Sequence, residues 1–88
     1  SREKYILTVL AEEAAEVAQA ASKAIRFGMD SKNPYNELTN KQTLIDEVND
    51  LMAMIWELNE KYNLEFSLNR NAQEQKRLRV ERHFNALY

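Results

Sequence analysis

The chain contains no cysteine, one glycine, one proline and one histidine among its 88 residues. Without cysteine it can build neither a disulfide framework nor a thiolate metal site, which fits a reducing, cytoplasmic setting. With a single glycine and a single proline there are few places to break the chain, so long helices are expected rather than many short strands. No apolar run approaches the ~20 residues of a membrane span, and no signal-peptide pattern opens the sequence. No membrane partner is therefore expected. The acidic pairs described below are its one repeated feature.

What is present is mostly apolar (44%) or charged (30%), a composition expected of one small soluble domain over residues 1–88. A chain this short buries only about 60–65% of its unfolded surface, so oligomerisation is the natural supplement to a thin core. The net charge of −2 is unevenly spread. Residues 1–66 carry seven basic and twelve acidic side chains, whereas residues 67–88 carry five basic and two acidic ones. The two regions can neutralise each other between subunits, or the basic one can hold an anionic ligand.

The pattern predicts a first helix from about Glu3 to Phe27: alanine-rich, free of glycine and proline, with Gly28 placed to end it at positive φ. Residues 29–38 read as a polar connection, with Asp30, Ser31, Asn33 and Pro34 as turn formers. Thr39-Asn40-Lys41-Gln42 matches a capping box, so a second helix should start there and run to about Tyr62. After a short link at 63–67, residues 68–88 read as a weaker helix, too polar to stand alone and expected to dock on a neighbour.

The anomaly lies on the apolar faces. At 3.6 residues per turn Glu13 points with Ile6, Leu10, Val17, Ala20 and Ala24, and Glu16 follows one turn on. Glu47 likewise shares a face with Leu44, Leu51, Met54, Ile55 and Leu58, and Asp50 follows at the same offset. A carboxylate turned toward a core without a partner costs several kcal/mol or more. A cation site is the economical compensation. Four carboxylates make a hard, oxygen-rich site that suits Mg²⁺ or Mn²⁺ and disfavours zinc. A di-iron centre would need Glu-x-x-His motifs, and the only histidine, His83, has Val80 three residues before it.

Glu12-Glu13-Ala14-Ala15-Glu16, followed by Glu47-Val48-Asn49-Asp50, resembles the E-E-x-x-E … E-x-x-D signature of the MazG-like all-α nucleoside triphosphate pyrophosphohydrolases, particularly the short phage and bacterial members. The likeness covers about residues 4–62. It implies an all-α fold of two long antiparallel helices plus a C-terminal helix, with a four-helix bundle completed by a dimer or, as favoured here, a dimer of dimers. It also implies Mg²⁺-dependent hydrolysis of (deoxy)nucleoside triphosphates to monophosphate and pyrophosphate, with purine dNTPs as the expected substrates. The implied metal ligands for two or three ions are Glu13, Glu16, Glu47 and Asp50. Glu12 and Glu13 are the catalytic candidates, Glu12 as an outer ligand, a base for the attacking water, or a merely solvated side chain.

Lys23, Arg26 and Lys61 are candidates for the substrate's phosphates, against ordinary solvation for each. Phe27, Trp56 and Tyr62 could stack on a base, but packing in the core or between subunits is their expected role. Trp56 points away from the acidic face. The tail residues Arg70, Lys76, Arg77, Arg79 and Arg82 lack interleaved aromatics, so no nucleic-acid partner is expected. Two rival functions remain open: phosphoribosyl-ATP pyrophosphohydrolase, and a non-catalytic helical module with acids buried at an interface.

Overall fold

The computed structural model describes all 88 residues and contains three helices and no strand: α1 (Arg2–Phe27), α2 (Asn40–Tyr62) and α3 (Arg70–Leu87). Each begins on a side-chain cap. Ser1 accepts from the Lys4 amide, Thr39 from the Gln42 amide and Asn69 from the Ala72 amide, each satisfying a donor the helix leaves open. At Thr39 the capping box is complete, because the Gln42 side chain returns to the Thr39 amide at 2.8 Å.

Gly28 ends α1 at φ 92°, ψ 152°, a conformation that side-chain-bearing residues rarely adopt. Asn63 ends α2 in the left-handed region at φ 56°, ψ 40°.

α1 and α2 form an antiparallel hairpin. Gly28 meets Asn40 at one end, and Glu13 meets Asp50 farther along. The seam is built from the two expected stripes. Ala20 and Leu58 are buried, while Ile6, Leu10, Val17, Ala24, Leu44, Leu51, Met54 and Ile55 are half-buried around them. Nothing else is deeply covered except Asn40. The molecule is only 16 Å thick in its shortest dimension, and its radius of gyration is 16.0 Å. A compact chain of this length would have about 12 Å.

The hairpin consequently has two open faces. On one side Leu7 and Ile25 of α1 continue a strip of alanines, and Ile45, Val48, Met52 and Trp56 make an exposed row along α2. These positions are turned from the seam by about the same angle in both helices. In antiparallel partners an equal rotation brings both strips to one side. Glu12, Glu16 and Asp50 are turned the opposite way.

The C-terminal helix departs from expectation. It makes no contact with α1 or α2, and every residue in it is exposed. Its start moves to Arg70 because the link runs through residue 69. Asn59 clamps that link, donating to the Phe66 carbonyl at 3.0 Å and accepting from the Phe66 amide at 2.9 Å. Glu65 takes φ 59° beside the clamp and the chain turns away. Within one chain, then, α3 does not dock. The ring contact between Phe84 and Tyr88, 4.9 Å between centroids, stays inside the helix.

Candidate metal centre

The site is assembled across the hairpin seam. Carboxylate oxygens of Glu13 from α1 and of Glu47 and Asp50 from α2 all lie within 4.8 Å of one another. Glu13 and Glu47 are half-buried and Asp50 is exposed, so the trio opens to solvent on the face opposite the apolar strip. Neither salt bridge in the structure involves these residues, since Lys61 pairs with Glu57 and Arg77 with Glu74. The acids meet without a basic side chain among them.

The consequence appears at Glu47, whose carboxyl is raised above the ordinary carboxylate range. Loss of solvation is the largest cause, followed by the negative charges of Glu16, Asp50, Glu13 and Asp46. A carboxyl crowded by negative neighbours is a situation a divalent cation would relieve. Octahedral Mg²⁺ holds oxygens at about 2.1 Å, so ligand oxygens around one ion lie up to about 4.2 Å apart. The trio is already close to that spacing, and three one-atom ligands leave room for water and phosphate oxygens. The donor set fits a hard cation.

The remaining expected site residues divide. Glu16 is exposed and close enough to be the largest single charge acting on Glu47, but it is not in the close trio. A three-residue step turns a side chain about 60° off its predecessor's direction. That places Glu16 and Asp50 at the solvent edge of the stripes that carry Glu13 and Glu47. Asp50 nonetheless reaches the trio. Glu12 is exposed on α1, on the same side.

Lys23 and Arg26 are exposed near the Gly28 end, where Arg26 lies 4.9 Å over the Phe27 ring. Lys61 is at the other end of the hairpin, 3.0 Å from Glu57, so it already has a carboxylate partner. Trp56 is exposed and donates to Glu60 at 3.3 Å, away from the acids as expected. His83 is exposed.

Three further residues carry no signal in the sequence pattern. Asp46 adds to the field on Glu47 from the preceding position. Lys32 and Tyr35, read only as part of a polar connection, line a cavity with Lys23. No helix is long and apolar enough to cross a membrane. No family model, curated protein sequence or solved structure matches the chain.

Proposed function

We propose that this chain is a Mg²⁺-dependent nucleoside triphosphate pyrophosphohydrolase. The observation that carries the reading is the convergence of Glu13, Glu47 and Asp50 from two helices with no basic partner. The resemblance of the two acidic motifs to the MazG-like pattern supports the choice of reaction.

Glu13, Glu47 and Asp50 would hold the ion, with Glu16 at the rim to take a second ion or an outer-shell water. A bound Mg²⁺ supplies positive charge for the phosphate oxygens and acidifies the attacking water. Water oxygen adds to the α-phosphorus, the bond from that phosphorus to the α,β-bridging oxygen breaks, and pyrophosphate leaves. Glu12 stands one residue before Glu13 on the solvent side and would take the water's proton as general base. The exposed cations Lys23 and Arg26 lie toward one end of the same hairpin, available to an anionic substrate.

The apolar strip of Leu7, Ile25, Ile45, Val48, Met52 and Trp56 suits a second copy of the hairpin, which would turn two helices into a four-helix bundle. A tetramer is the favoured assembly. Seating one hairpin on the other along this strip would leave the acids on the opposite face.

The test is incubation with each NTP and dNTP in Mg²⁺, followed by ³¹P NMR. Monophosphate and pyrophosphate should appear together, and Glu47→Gln should abolish both while the assembly persists. Diphosphate and inorganic phosphate as products would contradict the reading. Phosphoribosyl-ATP belongs in the same panel, since it presents the same bond to the same acids. If no substrate turns over and no divalent ion binds, the chain is a non-catalytic interaction module.

A further inference from the structure

The acids do not use the Gly28 end of the hairpin, where the α1–α2 connection folds back on itself. That connection is built rather than slack. The Asn33 amide donates to the Leu38 carbonyl and the Glu37 amide to the Asn33 carbonyl, both at 2.8 Å. The Asn40 amide reaches the Ser31 carbonyl at 3.0 Å, and the Lys41 amide the Met29 carbonyl at 2.9 Å. Lys32 and Thr39 form an antiparallel bridge. At the tip, Tyr35 is held 96% exposed.

Beside Tyr35 lies an open cavity of about 250 Å³, lined by Lys23 and Phe27 of α1 and by Ser31, Lys32, Asn33 and Tyr35 of the connection, among others. Two aromatic residues and two lysines thus line one space, and no acidic residue does. Ammonium groups donate hydrogen bonds and accept none. Asn33 commits its side-chain oxygen to the Tyr35 amide at 2.8 Å, leaving its own amide hydrogens uncommitted. The lining is therefore aromatic and positively charged, with side-chain acceptors on the Ser31 hydroxyl and the Asn40 side-chain oxygen. It is also on the acids' side of α1. Lys23 follows Glu16 by two turns, about 10 Å along the axis, and Phe27 by one turn more.

We propose that this cavity binds a planar, acceptor-rich ring, the chemistry of a keto-bearing nucleobase such as guanine, in preference to an amino-bearing one such as adenine. The proposal rests on the nucleotide reading above and names where the substrate's ring end sits, away from the acids. Guanine presents two acceptors, O6 and N7, on one edge. Adenine replaces one of them with an amino donor, which would face the lysines donor to donor. Phe27 and Tyr35 supply the stacking surfaces, and stacking on an aromatic ring does not itself depend on base identity. The lysines make the distinction.

The test uses the full chain in EDTA, so the acidic trio takes no part. ¹⁵N NMR titrations with guanosine 5′-monophosphate, adenosine 5′-monophosphate and inorganic pyrophosphate follow the amides of Ser31, Lys32, Asn33 and Tyr35. The guanine nucleotide should shift those amides and bind about fivefold or more tightly than the adenine one. Tyr35→Ala and Lys23→Ala should each weaken it by about fivefold or more while leaving the remaining spectrum unchanged, both side chains being exposed. Equal affinity for the two bases, equally strong shifts with pyrophosphate, or no shift at all would overturn the proposal. A chain that binds guanine here but holds no Mn²⁺ fails the metal reading alone. One that hydrolyses triphosphates with residues 31–35 unmoved fails this proposal alone.

Discussion

Glu13 and Glu47 stand on helices that run in opposite directions, yet their carboxylate oxygens lie within 4.8 Å of each other with no basic side chain paired to either. Each is the one acid in an otherwise apolar stripe, so packing the two stripes together forces the charges together. The packing that stabilises the hairpin therefore also brings like charges together, a cost that a bound cation would relieve.

That cost has a definite pH dependence. Glu47 holds its proton to higher pH in the folded chain than in the unfolded one. Below the unfolded value both states are protonated and the group contributes nothing. As pH rises through the raised folded value the penalty develops in full, so this group makes stability fall as pH climbs through that window. In chelator, Glu47→Gln should match the parent in acid and melt higher near neutrality, as read by thermal unfolding followed by circular dichroism. A variant that loses stability progressively as pH rises would contradict this.

Gly28 gives a prediction about backbone alone. Its φ of 92° is unfavourable for any side chain, and a Cβ built there meets nothing within 4 Å. Gly28→Ala should thus cost about 1–3 kcal/mol through conformation, without a clash. Urea unfolding should show a lower midpoint with an unchanged slope. An unchanged midpoint would mean the connection relaxes freely.

Asn40 is the one buried polar side chain, and its amide donates to the Gly28 carbonyl at 2.8 Å. Asn40→Ala leaves that carbonyl with only the longer 3.4 Å bond from the Ser31 amide where the two helices meet, at a cost of about 1 kcal/mol. The loss should appear in the same urea series. Faster exchange of the Ser31 and Asn33 amides would locate it in the connection, and a variant as stable as the parent would refute this role.

α3 has nothing to pack against within one chain. A lone helix of this length in water is marginal. In dilute monomeric protein its amides should exchange hydrogen almost as fast as an unfolded peptide's, while those near Leu58 are protected. If α3 is strongly protected in the monomer, the open arrangement is wrong; protection that appears with concentration would mark docking on another copy.

Much of this was legible one turn at a time. Thr39 with Gln42, the halt at Gly28, and the inward turn of Glu13 and Glu47 are local patterns, and each is present in the structure. The close trio was legible only in part. Glu16 and Asp50 share a spacing, but only Asp50 comes within reach, because the fit across the seam decides which edge residue faces the partner helix. Lys61, a phosphate candidate from its place on α2, pairs with Glu57 one turn before it, a local i,i+4 contact. The lining of the Lys23 cavity depends on how residues 31–39 fold back, through hydrogen bonds between main chain and turn side chains that periodicity does not reveal. The separation of α3 depends on the Asn59–Phe66 clamp, which joins residues across the end of a helix.

The most direct test is calorimetric titration of the chain with Mn²⁺ at neutral pH, repeated on Glu47→Gln and Asp50→Asn. Saturable binding with fixed stoichiometry in the parent, accompanied by a higher melting temperature and lost in both variants, is the expected result. Absence of binding in the parent, or binding that survives both substitutions, would contradict the claim that these acids converge to hold a divalent cation.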